Sequence, residues 1–245
     1  MRNFGLIGFP LVHSFSKRFF TDKFEREEID AHYDLFELKN LNEFPALIQQ
    51  FALNGLNVTI PYKEKVMAYL DELDETATQI GAVNVIQFIR NGNDLKLKGY
   101  NSDAIGFEKS IVPALKDFHH HALILGTGGA SKAIDYVLQK LGLDTLLVSR
   151  HLNSVGLTYG QLNQNILSKY TVVVNTTPVG TFPHTDECPD IPYEFLTSKH
   201  LLYDVVYNPS ETLFLKKGKE RGAQTLNGEG MLIGQAIAAW EIWNL

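Results

Sequence analysis

The chain has 245 residues, 44% hydrophobic and 20% charged, with a formal net charge of -6, and the pI is near 5.7. That composition suits one large globular domain or two of ordinary size, and no basic stripe or polybasic segment points to nucleic acid or an anionic membrane as partner. One cysteine, Cys188, excludes an intramolecular disulfide and a cysteine-based metal site. The opening Met1-Arg2-Asn3-Phe4-Gly5 lacks the apolar core of a secretion signal. No apolar run approaches the ~20 residues of a membrane span, so a soluble cytoplasmic protein is expected.

The first hundred residues alternate strand and helix signals. Residues 4–8 read as a short buried strand, followed by a helix over 16–28 with Phe19, Phe20 and Phe24 on one face. Residues 32–38 alternate as a strand. Residues 41–53 carry helical spacing, with Leu47, Ile48 and Phe51 inward. Residues 55–59 predict a strand and 62–70 a helix. Residues 83–89 and 95–100 predict strands joined through the turn Asn91-Gly92-Asn93-Asp94.

A helix over 104–115 leads into a second unit, and the change of pattern places a domain boundary near residue 103. Residues 121–125 predict a strand. Ala133, Ile134, Val137, Leu138 and Leu141 then share a helical face, with Gly142 as its natural stop. Residues 145–148 complete a βαβ beginning, whereas the polar stretch 151–168 reads as irregular. Residues 171–174 and 201–206 are apolar on both faces, which suits a parallel sheet covered by helices. The last helix, 231–243, is strongly apolar, with Trp240 and Trp243 expected in the core.

Gly126-Thr127-Gly128-Gly129-Ala130 follows a strand and opens a helix. Glycines there permit a tight turn and let backbone N–H groups approach a pyrophosphate at the positive helix N-terminus. The next strand ends at Val148-Ser149-Arg150-His151. An acid at that point would hold a ribose 2′-hydroxyl; Arg150 instead suits a 2′-phosphate, favouring NADP over NAD.

Upstream, Asn57-Val58-Thr59-Ile60-Pro61-Tyr62-Lys63 closes a strand. Asn57 and Thr59 share a side by the strand's period of two, and both can hydrogen-bond a hydroxylated substrate. Reduction of a ketone needs a proton donor for the oxygen that becomes negative as hydride arrives, and the Lys63 ammonium meets that need. Ser14 and Ser16 are spaced to clamp a carboxylate at a helix N-terminus. Gly81-Ala82-Val83-Asn84 adds an amide. Asn101-Ser102-Asp103 adds a carboxylate suited to orient Lys63. Read singly, the serines and Asp103 are helix caps and Lys63 a solvated lysine. Three consecutive histidines, His119 to His121, rarely converge on one ion, so no metal site is expected.

Together the blocks resemble the shikimate dehydrogenase family. They are His13-Ser14-Phe15-Ser16, Asn57-Val58-Thr59-x-Pro61-x-Lys63, Gly81-Ala82-Val83-Asn84, Asn101-Ser102-Asp103 and Gly126-x-Gly128-Gly129-Ala130. Asn175-Thr176-Thr177-Pro178-x-Gly180, Asp204-x-x-Tyr207-x-Pro209 and Gly228-x-Gly230-Met231-Leu232-x-x-Gln235-Ala236 follow in the family's order. The resemblance implies an α/β fold: an N-terminal α/β substrate domain, 1–103, to which a C-terminal helix, 229–245, returns, and a Rossmann-type NADP-binding domain, 104–228.

It also implies reduction of 3-dehydroshikimate to shikimate with NADP(H), in aromatic amino-acid biosynthesis. By that similarity Lys63 is the acid–base, assisted by Asp103. Ser14 and Ser16 take the substrate carboxylate, and Asn57, Thr59, Asn84, Asp103 and Gln235 the ring hydroxyls, with Tyr207 close by. The cofactor set is Gly126, Gly128, Gly129, Ala130, Ser149, Arg150, Thr176, Val205, Gly228 and Met231.

Some positions depart from the family pattern. Lys17 replaces a proline, expected at the first position of a helix; Thr181 replaces a methionine; and His151, Asn153 and Ser154 stand where a threonine and a second basic residue usually follow the arginine. The chain is also short around 151–170. Rival readings are an NAD-dependent quinate/shikimate dehydrogenase, disfavoured by the missing acid, and a non-catalytic NADP-binding protein, which would have no need of Lys63, Asp103 and Gln235 together. Monomer and homodimer are both open.

Overall fold

Strand β1 (Arg2–Gly8) carries Phe4 and Leu6 on one face and Ile7 on the other, the alternation that builds a core on both sides of a sheet. The computed structural model describes all residues except 12, 13, 93 and 152–155. After β1 come α1 (Phe15–Arg26), β2 (Ala31–Glu37), α2 (Phe44–Gln50), β3 (Leu53–Val58), β4 (Glu72–Leu73), α3 (Glu75–Ile80), β5 (Val85–Asn91) and β6 (Asp94–Tyr100). These strands form a six-stranded mixed sheet in the order β2-β1-β3-β5-β6-β4. Both neighbours of β1 run parallel to it, while β5 is antiparallel to β3 and to β6.

The chain then gives α4 (Ser102–Ile111), β7 (His121–Leu125), α5 (Gly129–Lys140), β8 (Asp144–Ser149), β9 (Leu157–Thr158), α6 (Gln164–Lys169), β10 (Val172–Asn175), β11 (Leu201–Asp204), α7 (Leu213–Glu220), β12 (Gln224–Leu226) and α8 (Glu229–Trp243). The second sheet, β12-β11-β10-β7-β8-β9, is parallel throughout. Counted from β7, this is the 3-2-1-4-5-6 order of doubly wound dinucleotide-binding folds.

The chain divides into two compact units: Met1–Ser102 with Ala236–Leu245, and Asp103–Gln235. In the first, one face of the sheet packs Phe4 with Phe20, Phe24, Tyr33 and Trp243, and the other packs Ile7 with Phe44, Leu47, Leu56 and Val66. Trp243 is core, as expected, while Trp240 is partly buried and packs against that core. Trp243 lies 4.7 Å from Phe4, ring centre to ring centre, and its indole N–H donates to Ile86 O at 3.2 Å. In the second unit Leu123, Leu125, Val173, Leu202 and Phe214 form the core, and the two-sided apolar strands are fully buried.

Several boundaries differ from the sequence expectations. The helix expected over 41–53 is a 3-10 turn, Leu41–Glu43, then α2. Pro45, lacking an N–H, is confined to the first turn of α2, and Phe51, expected inward, is an extended, exposed stop. Over 62–70 only a 3-10 segment forms, Lys65–Tyr69. The helix expected over 104–115 starts at Ser102 and ends at Ile111, where Pro113 tightens the chain into a 3-10 turn. Asp103 is therefore a first-turn residue and not the cap.

Lys17 is the third residue of α1 and not the first, and its amide donates to Ser14 Oγ at 3.2 Å. The stretch expected to be irregular holds β9, a 3-10 turn and α6, the last capped by Asn163. The strand expected over 201–206 stops at Asp204. The hairpin expectation includes Asn93, outside the described residues, but β5 and β6 pair antiparallel with Asn91 opposite Asp94. His13, Asn153 and Ser154 also lie outside them.

Candidate functional site

In the first unit the residues singled out gather where β1 and β3 end. Ser14 caps α1, so the positive end of a 12-residue helix lies beside both serines. The Ser16 hydroxyl hydrogen-bonds the Tyr33 phenol, which donates to Asn57 Oδ1 at 2.7 Å. Burial holds the Tyr33 phenol well above its ordinary pKa, so it stays a neutral donor. Asn57 Nδ2 donates in turn to Asn84 O at 3.4 Å.

The segment 81–84 is fixed from several sides. Gly81, at φ +70, ends α3. Val83 N donates to Lys63 O at 2.7 Å, which sets the half-buried lysine beside Asn84 in the chain path. Asn84 is buried, accepts the Ser102 amide on Oδ1 at 2.6 Å, and donates from Nδ2 to Ser102 Oγ at 3.0 Å. Asn101 Nδ2 donates to Ala82 O at 2.9 Å. Ser14, Ser16, Asn57, Lys63 and Asn84 thus belong to one region, with Thr59 tied to β1 through its amide and Ile7 O at 2.9 Å. Tyr33 and Ser102 are structural members that residue patterns did not single out.

In the second unit Asp103 is buried in the first turn of α4. A Cβ on Gly106 would lie 2.5 Å from Met231 O and 2.7 Å from Gln235 N. Only glycine lets α4 and α8 cross so closely, and the crossing places the helix of Asp103 against that of Met231 and Gln235.

The turn from β7 to α5 begins at Gly126, at φ +112, where a Cβ would also meet Thr176 Oγ1 at 2.7 Å. Thr176 donates to Leu125 O from both its amide, at 2.9 Å, and its hydroxyl, at 2.8 Å. Gly128 is the N-cap of α5, has no side chain to satisfy the first-turn amides, and has open space where a Cβ would stand. Ala130 follows in that turn. Next along the sheet, Ser149 closes β8 with Arg150 exposed beyond it. On the other flank Val205 N donates to Asn175 O at 3.0 Å, and Gly228 N to Val206 O at 3.1 Å. A side chain at Gly228 would collide with the Val205 backbone. Tyr207 is exposed and Met231 buried.

His119 and His121 point to separate partners. His119 accepts the Lys116 amide on Nδ1 at 3.0 Å and meets Lys199 O at 3.1 Å, while His121 faces Asp144 at 3.5 Å.

An uncapped helix N-terminus with vacant volume at Gly128 lies where strand order reverses between β8-β7 and β10. This fits a pyrophosphate, and with the parallel sheet it defines a dinucleotide-binding α/β protein. Known proteins narrow the class. The model of the shikimate dehydrogenase substrate-binding domain matches residues 6–86. A shikimate dehydrogenase (NADP(+)) of Methanosphaera stadtmanae is 38% identical over 260 residues, 98% of this chain and 90% of that protein. The chorismate mutase/shikimate 5-dehydrogenase fusion of Clostridium acetobutylicum superposes with a TM-score of 0.86 at 34% identity, covering 100% of this chain and 91% of that one. The shikimate 5-dehydrogenase of Thermus thermophilus, solved with NADP(H) and shikimate, gives 0.85 at 27%, covering 99% and 93%. The chain belongs to the shikimate dehydrogenase family.

Proposed function

We propose that the protein reduces 3-dehydroshikimate to shikimate, reversibly, with NADPH. The observation that carries this reading is 38% identity along 98% of the chain to an NADP-dependent shikimate dehydrogenase. The bond from Tyr33 to Asn57 and the contact of Lys63 O with Val83 N support it, since they hold a hydroxyl-binding amide and the lysine in one region.

The first unit carries most of the substrate contacts. Ser14 and Ser16, with the positive end of α1, take the carboxylate. Asn57, Thr59 and Asn84 hold ring hydroxyls with Asp103, Tyr207 and Gln235. Lys63 delivers the proton to the carbonyl oxygen, and Asp103 tunes and orients it. A buried array of amides held by Tyr33 and Ser102 is preorganised, so little reorganisation is needed at the moment of reaction.

The second unit carries the dinucleotide. NADPH, when bound, supplies the hydride. Gly126, Gly128, Gly129 and Ala130 receive the pyrophosphate, Ser149 and Arg150 the 2′-phosphate, and Thr176, Val205, Gly228 and Met231 the nicotinamide half. The work belongs to the cytoplasm, as part of a biosynthetic route to aromatic amino acids. No helix among the described residues is long and apolar enough to cross a membrane.

The test is purified protein with 3-dehydroshikimate, following absorbance loss with NADPH and with NADH. Turnover with NADPH supports the reading. Turnover with NADH alone, or none at all, contradicts it.

A further inference from the structure

Asp204 has no part in the roles assigned above, yet it is a fully buried carboxylate at the end of β11. Its Oδ1 accepts from Asn175 Nδ2 at 2.9 Å and from Val206 N at 3.1 Å, and its Oδ2 accepts from Thr212 Oγ1 at 2.6 Å. Asn175 and Thr212 are likewise fully buried.

Each partner fixes a different loop. Asn175 ends β10, and its Oδ1 accepts the Thr177 amide at 3.0 Å and the Thr177 hydroxyl at 2.7 Å. That pins the 175–177 segment, whose Thr176 is bonded to Leu125 O beside the glycine turn. Val206 belongs to the loop after β11, and its carbonyl accepts the Gly228 amide. Thr212 caps α7, its Oγ1 accepting the Leu215 amide at 3.4 Å.

We propose that Asp204 is a positioning residue for the dinucleotide: one buried carboxylate holds the loops after β10 and β11 in register with the glycine turn. The inference rests on the reading of this unit as the NADPH site. Both oxygens accept, and no donor hydrogen is left on the group to conflict with three donors. Burial pushes the carboxyl up to about 6, while the Thr212, Val206 and Asn175 donors pull it back, and with donors on both oxygens the charged form is the one that accepts at every position. An isosteric amide fails at one point: its N–H₂ would face Thr212 Oγ1, whose own proton would then lose its acceptor.

The experiment measures the NADPH dissociation constant by fluorescence titration, with KM for shikimate and kcat at saturating cofactor, for Asp204→Asn, Thr212→Val and Thr212→Ser. Melting temperature checks that each variant is folded. Loss of a hydrogen bond to a buried charge is expected to weaken NADPH binding about tenfold in D204N and T212V. KM for shikimate and kcat should stay within about twofold, because the defect lies on the dinucleotide side. Thr212→Ser, which keeps the hydroxyl, should restore wild-type binding. A folded D204N that binds NADPH like the wild type overturns the proposal, as does a loss falling equally on NADPH and shikimate. If D204N does not fold, T212V decides by the same criteria. Wild-type protein that does not bind NADPH would refute the functional reading itself, and is seen before any variant is made.

Discussion

The Tyr33 phenol donates to Asn57 Oδ1 at 2.7 Å, reaching from β2 to β3 over the intervening strand β1. The bond fixes which end of the Asn57 amide carries hydrogens. Asn57 Nδ2 is thereby turned toward Asn84 and away from Tyr33. Tyr33→Phe leaves a buried amide oxygen without its donor, at a cost of about 1–3 kcal/mol. Chemical denaturation should show that loss, and steady-state kinetics should show KM for shikimate raised severalfold with NADPH binding unchanged. Unaltered KM in a folded Y33F protein would separate Asn57 from substrate binding.

Arg150 stands exposed just past β8, next to the strand that leads into the glycine turn. Its planar cation matches a 2′-phosphate. Arg150→Ala should raise KM for NADPH about tenfold or more and leave KM for NADH within about twofold, roughly the value of one charge-assisted contact. Equal effects on both cofactors would remove the arginine from the phosphate site.

Two buried histidines give the second unit an acid-sensitive stability. His119 and His200 each accept a backbone amide on Nδ1, from Lys116 and Thr197 at 3.0 Å each, and burial first of all lowers both below the ordinary 6.5. A depressed histidine pKa means the unfolded chain takes up protons first as pH falls. The stabilisation is therefore complete above about 6.5 and declines as pH drops from there toward the folded values. Asp204 acts in the opposite sense, since its raised carboxyl pKa favours folding at low pH and loses that contribution as pH rises from 3.8 to about 6. Below about 6.5 the two contributions oppose each other, and only the histidine one is removed by substituting the histidines. The variant His119→Asn/His200→Asn keeps amide acceptors without titrating, so its melting temperature relative to the wild type's should rise as pH falls below about 6.5. Parallel curves would contradict the assignment.

Gly106 tests the crossing of α4 and α8. A methyl at this position would be driven against the Met231 carbonyl at 2.5 Å. Overpacking of this kind costs about 1–3 kcal/mol, so Gly106→Ala should lower the urea midpoint and reduce activity together. An unchanged midpoint would mean that the helices separate freely.

The glycine turn and the strands around it were legible in the sequence because short-range signals coincide there: two-sided apolar runs, a helical face and glycine punctuation. The same signals were present for α3, between Asp74, which caps the Thr76 and Ala77 amides, and Gly81 at positive φ, but six residues make too short a period to stand out. Helix α7, with its Thr212 cap, was hidden in the same way, as was α6 behind a polar exterior. Pro45 and Pro113 set boundaries that apolar spacing alone overran. Tyr33, Ser102 and Asp204 were not legible as site partners. Their bonds to Asn57, Asn84 and Asn175 cross 24, 18 and 29 positions of chain and exist only once strand register is set. Lys63 and Asp103 were legible only as members of a set of blocks, since each alone is an ordinary surface or helix-start residue.

The most direct measurement on the whole account is turnover of Lys63→Ala with 3-dehydroshikimate and saturating NADPH, on protein shown to be folded and to bind both ligands. The account predicts a fall in kcat of at least ~10²-fold, the scale of a lost general acid, with KM for 3-dehydroshikimate changed modestly. Near-normal kcat in that variant would contradict it.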